Sequence, residues 1–336
     1  MDGGRILIVG PAWVGDMVMA QSLFMSLKQR HPGAEIDVVA PAWSVPLLAR
    51  MPEVRRAITL DVGHGRLGLA ARWRLGRSLR GRCYERAIVL PRSFKSALVP
   101  FFAGAAIRTG YRGEMRHGLL NDIRPLDKTV LRQTVQRYVA LGEARGASLP
   151  PAIPQPRLRI DVGNQQRLMR ELELESDRPV AGFAPGAEYG PAKQWPAAHF
   201  AELARRLNGR GMAVWLFGSA RETALADEIA ASLPLTRNLC GRTRLEDALD
   251  LMAMTRVVVS NDSGLMHVAC AADTRVIGIY GSSDPAYTPP LSDKARVMYR
   301  GLDCSPCFER VCPKGHTNCL NEIAPRQVED ELLAML

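Results

Sequence analysis

The sequence predicts an α/β fold made of two doubly wound, parallel-sheet domains that face a cleft, and three observations carry that reading. Short β-branched runs alternate with amphipathic helical patterns along nearly the whole chain, which implies parallel sheets covered on both faces. The alternation is interrupted once, by residues 149–156 (LPPAIPQP), whose four prolines prevent regular structure, and then restarts. Two Asp-bearing loops, Gly10-Pro11-Ala12-Trp13-Val14-Gly15-Asp16 and Ser260-Asn261-Asp262-Ser263-Gly264-Leu265-Met266-His267, each follow an apolar run and open a helix, one in each half. In open parallel sheets, ligands sit just beyond the carboxyl ends of strands, where helix N-termini present unpaired N–H groups.

In chain order, strands are expected at 5–9, 35–40, 56–60, 86–90 and 107–110, with helices at 16–30, 43–50, 69–79, 95–102 and 129–145. After the proline-rich linker come strand 180–184, helix 197–208, strand 213–217 and helix 221–231. A short strand at 238–240, helix 245–254, strand 256–260, helix 264–271 and strand 275–279 complete the second array. The expected domains are therefore 1–155 and 156–324, with a last helical segment at 325–336.

Bulk properties agree. A length of 336 residues suits two domains better than one core. With 47% hydrophobic and 23% charged residues the composition is globular. No run approaches the roughly 18 consecutive apolar residues of a membrane-spanning helix. No secretory signal pattern opens the chain, so the seven Cys are expected as reduced thiols in a cytosol. The 44 Lys+Arg against 34 Asp+Glu give a formal charge of +10, which fits nucleic acid, an anionic membrane surface or a phosphorylated substrate. Spread along the chain, these charges weaken the nucleic-acid reading.

The motifs divide into chemistry and scaffolding. Gly10-x4-Gly15 has the glycine spacing of a phosphate-binding loop, yet Asp16 stands where a Lys would grip phosphate, so no nucleoside triphosphate cradle is expected. Asp16 reads either as a helix cap or as a general base partly desolvated by Trp13, Val14 and Met17. Gly63-x-Gly65-x2-Gly68 matches the dinucleotide fingerprint literally, but it follows a third strand and carries Arg66, so it reads as a glycine-rich loop. The segment Pro185-Gly186-Ala187-Glu188-Tyr189-Gly190-Pro191-Ala192-Lys193-Gln194-Trp195-Pro196 leads into a helix. Lys193 there is either a solvated loop cation or half of a diphosphate site completed by the helix N-terminus. In the second Asp loop, Asp262 and Ser263 can cap the helix and Gly264 lets backbone approach a ligand, with His267 one turn in. Arg92 and Lys95 follow one strand of the first half, and Arg112 and Arg116 follow the next; grouped, they suit phosphates or carboxylates. Cys304, Cys307, Cys312 and Cys319, with His316 nearby, could hold a structural zinc, although the spacing is not that of a standard finger; the other reading is a loop of packed free thiols.

Taken together, GPAWVGDMVMAQSL, PGAEYGPAKQWP, SNDSGLMHVA and YGSSDP resemble the ADP-heptose:lipopolysaccharide heptosyltransferases of glycosyltransferase family 9. RSFKSALVPFFAG, RTGYRGEMRHGLLND and the CSPC tail resemble the heptosyltransferase II branch. The resemblance covers essentially the whole chain. It implies a GT-B fold of two Rossmann-like domains, with acceptor bound by the first and ADP-heptose by the second, and a final helix at 326–335 that crosses back to the first domain. It implies Asp16 as catalytic base, Lys193 and Gly186 at the donor diphosphate, and Glu222 at the adenosine ribose. Asp262, Ser263, Gly264 and His267 would line the donor's sugar and phosphates, and Arg92, Lys95, Arg112 and Arg116 the acceptor. One departure from the related heptosyltransferase I is that Ala187, Glu188 and Tyr189 stand where that enzyme has hydroxyl residues. The implied reaction is inverting transfer of L-glycero-D-manno-heptose onto heptosyl-Kdo2-lipid A, at the cytoplasmic face of the inner membrane. No Asp-x-Asp occurs in the chain, so neither a catalytic metal nor a cofactor is expected. The competing readings are another enzyme of this fold, using a different nucleotide sugar or epimerising one, and a zinc-bearing nucleic-acid binder.

Overall fold

A computed structural model describes residues 4–63, 65–175 and 177–336. The chain divides into two compact units, Met1–Leu158 and Arg159–Leu336. The division falls three residues after the expected 155, because α1 (Val14–Arg30) binds the linker. Gln21 of that helix donates to the Arg157 carbonyl at 2.7 Å and accepts from its N–H at 3.0 Å, and the Ser22 hydroxyl donates to the Pro154 carbonyl at 2.7 Å.

In the first unit, β1 (Arg5–Val9) leads into α1, and β2 (Glu35–Ala40), α2 (Val45–Leu48), β3 (Val54–Thr59) and α3 (Leu69–Leu79) follow. The chain then forms β4 (Arg86–Val89), α4 (Leu98–Phe102), β5 (Ile107–Tyr111), β6 (Asp122–Arg124) and α5 (Thr134–Gly142). All six strands are parallel, in the order β3-β2-β1-β4-β5-β6. Leu7, Ile8, Ile88 and Val89 are sealed from solvent, as strands covered on both faces must be. The helix expected from residue 129 starts only at Thr134, because Asp127 accepts the Thr129 N–H at 2.8 Å and sets a turn first. One buried carboxylate ties the sheet together: Asp37 of β2 accepts Arg55 Nη2 and the Tyr84 hydroxyl, each at 2.6 Å.

The second unit opens on α6 (Val162–Glu171), a helix the sequence reading missed, and continues with β7 (Val180–Ala184), α7 (Ala197–Gly209), β8 (Ala213–Leu216) and α8 (Thr223–Ala230). Next come β9 (Thr236–Asn238), α9 (Leu245–Met252), β10 (Val257–Asn261), α10 (Gly264–Ala271) and β11 (Arg275–Tyr280). The unit ends with β12 (Ala295–Tyr299), α11 (Asn318–Asn321) and α12 (Pro325–Met335). Its sheet, also fully parallel, runs β12-β11-β10-β7-β8-β9.

The two units therefore share one topology. Each sheet starts at a central strand, adds two strands on one side, then crosses back and adds three on the other. The reversal lies between β1 and β4 in the first unit and between β7 and β10 in the second. At such a reversal neighbouring loops diverge and leave a crevice at the strands' carboxyl ends. The last helix, which the resemblance sends toward the first domain, packs on α7 and β11 of its own unit. Val328 and Leu332 enter that core, while Glu329 pairs with Arg206 at 3.2 Å and Arg210 at 2.8 Å.

Candidate functional site

At the β7/β10 reversal the chain builds a compact polar cluster. Asn261, the last residue of β10, is fully buried; its Nδ2 donates to the Pro185 carbonyl at 2.6 Å and its Oδ1 accepts the Trp195 N–H at 2.9 Å. One side chain thus staples both ends of the Lys193 loop to the sheet. Within that loop, Lys193 Nζ lies 2.5 Å from Asp262 Oδ2 and 5.0 Å from the centre of the Tyr189 ring. Lys193 is held by an anion and an aromatic face, so it is no freely solvated cation.

Asp262 and Ser263 do not cap α10 with their side chains, contrary to the sequence expectation. The Asp262 carboxylate is turned to Lys193, and the Ser263 hydroxyl lies 3.2 Å from that of Ser260. The first-turn N–H groups of α10 accordingly keep their positive end toward the loop. His267, one turn in, is 4% exposed and its Nδ1 has no partner within the protein. Burial pushes its pKa down to about 4; Asp262 pulls it up and Lys193 down, so the ring is neutral at physiological pH. A buried, neutral imidazole with an unpaired nitrogen suits a hydrogen bond to a sugar hydroxyl or a phosphate oxygen.

Gly186 and Glu222 meet across the adjoining loops after β7 and β8. A Cβ at Gly186 would stand 2.8 Å from Glu222 Cγ, so the close approach requires glycine. Glu222 accepts the Ser219 N–H at 2.7 Å and its hydroxyl at 2.6 Å, which fixes the carboxylate at the edge of the β8 loop. Lys193, Asp262, Ser263, Gly264 and His267 therefore form one group, and Gly186 with Glu222 a second on the neighbouring strand end. Sequence reading named Asn261 only as part of a motif and gave it no role. It also missed the tail residues beside Tyr189, whose ring carries the Arg310 guanidinium at 5.1 Å. A segment more than a hundred residues away leaves no local signal for such contacts.

In the first unit Asp16 is the third residue of α1, directly beyond the carboxyl end of β1, and is half-buried. Trp13 is exposed, whereas Met17 is sealed beneath the loop against Gly10. The loops after β4 and β5 are stitched to each other: Glu114 accepts the Phe94 N–H at 2.6 Å and its own N–H donates to the Arg92 carbonyl at 3.2 Å. Arg92 and Arg112 are exposed there, and Lys95 is half-buried with Nζ on the Arg66 carbonyl at 3.3 Å. Arg116 does not belong with them. It is 2% exposed and donates to the Pro91 carbonyl at 2.8 Å and to the Tyr111 carbonyl, bracing both loops from beneath. Its two Nη atoms are spent on these carbonyls, while its buried Nε has no partner within the protein.

Comparison with known proteins bears on this arrangement. The model of glycosyltransferase family 9 (heptosyltransferase) matches residues 72–318. The lipopolysaccharide heptosyltransferase 2 of Salmonella typhimurium is 49% identical over 342 residues, covering 99% of this chain and 98% of that protein. The lipopolysaccharide heptosyltransferase 2 of Escherichia coli is 48% identical, with the same shares covered. Among solved structures, that of E. coli ADP-heptose lps heptosyltransferase II superposes with a TM-score of 0.87 at 47% identity, covering 98% of each chain.

Proposed function

Because this chain belongs to glycosyltransferase family 9, the heptosyltransferases, we propose that it moves a heptose from ADP-heptose onto the first heptose of the lipopolysaccharide inner core. It is a glycosyltransferase. The other readings of the sequence, a different nucleotide-sugar enzyme or a nucleic-acid binder, are not favoured by relatives of this identity and coverage. The acceptor is heptosyl-Kdo2-lipid A, held by the first unit, and the donor is held by the second.

Asp16 takes the proton of the acceptor hydroxyl as that oxygen bonds to the anomeric carbon. The bond from that carbon to the β-phosphate oxygen breaks on the opposite face, and the configuration inverts. Negative charge collects on the departing ADP, where Lys193 and the α10 N-terminus stabilise it. Asp262 holds the Lys193 ammonium in place until the diphosphate competes for it. Neutral His267 hydrogen-bonds the sugar or phosphate, and Glu222 the ribose. Support for Asp16 as base comes from its half-buried place beyond β1, with Arg92, Lys95 and Arg112 on the loops of the same sheet edge. Those three cations suit Kdo carboxylates and lipid A phosphates. The same cations suit a peripheral, charge-driven contact with the inner membrane's cytoplasmic face; among the described residues no helix is long and apolar enough to cross a membrane.

The observation that carries this reading is the Lys193–Asp262–His267 cluster at the β7/β10 reversal. The test is heptose transfer by purified protein from ADP-heptose to heptosyl-Kdo2-lipid A, followed by product mass. Asp16→Ala should lower turnover by about 10²- to 10⁴-fold while leaving ADP binding intact; normal turnover removes the base. Lys193→Ala should weaken ADP binding and slow transfer, and unchanged kinetics would dismiss its phosphate role.

A further inference from the structure

The cysteine tail is left unexplained by the transfer reaction. Residues 302–317 form no helix or strand, and Phe308 and Val311 are exposed on them. Yet this segment is wedged against the Lys193 loop at several points. The Ala192 N–H donates to the Arg310 carbonyl at 3.1 Å, the Tyr189 hydroxyl to the Phe308 carbonyl at 2.6 Å, and the Phe308 N–H to the Ser282 carbonyl at 2.7 Å. Gly190 runs so close that a Cβ there would stand 2.4 Å from the Arg310 oxygen. An irregular segment with few apolar anchors needs another fastening to hold such contacts.

Cys304, Cys307, Cys312 and Cys319 line one small hollow beneath this segment, with Ser282 and His316. Two turns supply three of the thiols. Cys304-Ser305-Pro306-Cys307 is followed by Phe308 at φ 58°, and Cys312-Pro313-Lys314 by Gly315 at φ 72°. A left-handed Phe is uncommon, so the first turn is held against local preference. Cys319 is buried in the same wall, at the start of α11. The Ser282 hydroxyl, buried in the wall of the hollow, has no partner within the protein.

We propose that Cys304, Cys307, Cys312 and Cys319 are the four thiolate ligands of a structural zinc ion that fastens the 302–317 segment against the Lys193 loop. Four soft sulfur donors without an open position suit tetrahedral zinc with a scaffolding role. His316 is set aside from ligation because its Nδ1 accepts the Asn318 N–H at 3.0 Å and serves as a turn lock. Among the described residues no three His, Cys, Asp or Glu side chains already stand as a metal-holding group. Uptake therefore entails rotation of the thiols onto the ion. The consequence for ADP rests on the donor reading given above; the metal site itself does not.

The test uses the full chain purified without chelator, with metal content measured by mass spectrometry. One zinc per chain is expected in the wild type and in Cys83→Ser, a control at an exposed thiol of the first unit. The Cys304→Ser/Cys307→Ser variant should lose the zinc, melt earlier and bind ADP about 10-fold more weakly. Should that variant fail to fold, cobalt(II) exchanged into the wild type should give thiolate charge-transfer absorption and tetrahedral d–d bands. Wild-type protein without zinc, which takes up no cobalt with those bands, overturns the site. Stoichiometric zinc whose loss leaves both melting and ADP affinity unchanged overturns the fastening. A wild type that holds zinc but binds no ADP refutes the donor reading and leaves the metal site standing.

Discussion

Protonation of His267 should set the acid limit of the second unit. The ring is buried and its pKa lies at about 4 against an ordinary 6.5, with burial the main cause. The unfolded chain therefore takes up the proton first. Stability contributed by the neutral ring is complete above pH 6.5, falls as pH drops below that value, and is exhausted near pH 4. The shift corresponds to about 3 kcal/mol in all, of which about 2 kcal/mol is gone by pH 5. His267→Gln removes the titrating group, so the wild type's advantage over this variant should shrink by about 2 kcal/mol between pH 7.5 and pH 5. Other titrating groups contribute equally to both proteins and cancel. Urea unfolding followed by tryptophan fluorescence can resolve this unit, because Trp195 and Trp215 are buried in it while Trp13, Trp43 and Trp73 of the first unit are exposed. A difference that stays within about 0.5 kcal/mol over that range would refute the buried, neutral imidazole.

Two further outcomes probe the first unit. Asp37→Asn removes the buried charge that answers Arg55 and Tyr84, and should cost about 2–3 kcal/mol, somewhat below the full range for a broken buried pair because Arg55 keeps 32% of its side chain exposed. Loss of less than about 0.5 kcal/mol in urea unfolding would show that the carboxylate does not hold β2, β3 and Tyr84 together. Arg116→Ala should destabilise the unit by about 2–4 kcal/mol, since the Pro91 and Tyr111 carbonyls lose their donor and a void opens beneath two loops. Weakened acceptor binding at unchanged stability would instead return Arg116 to the role its sequence position suggested.

Much of the fold was legible in the sequence because parallel strands buried on both faces must be written as nearly unbroken apolar runs. Residues 5–9, 35–40, 180–184 and 275–279 all lie within strands for that reason. The elements that escaped lack such a run. β12 (Ala295–Tyr299) is an edge strand with two of its five residues exposed and none buried, and α6 buries only Leu168 of its ten residues. The loops of the candidate site announced themselves for a related reason: glycine, proline and a short polar side chain must follow a strand directly if backbone is to meet a ligand at its end. Gly186, Asp262 and Gly264 are such residues. Asp16 could be placed by the same logic, but not assigned between cap and base.

Sequence by itself determined the alternation of strand and helix, the two-unit organisation and the family. These depend on the order of apolar residues, glycine and proline along the chain, which is local information. Tertiary structure alone decided which polar groups spend their charge on one another. It turned Asp262 from cap to partner of Lys193, buried Arg116 under two loops, and set Asn261 as the staple of the Lys193 loop. It also laid the cysteine tail against Tyr189 and Ala192, more than a hundred residues earlier. Burial and pairing depend on distances across the fold, and residue type alone does not encode those distances.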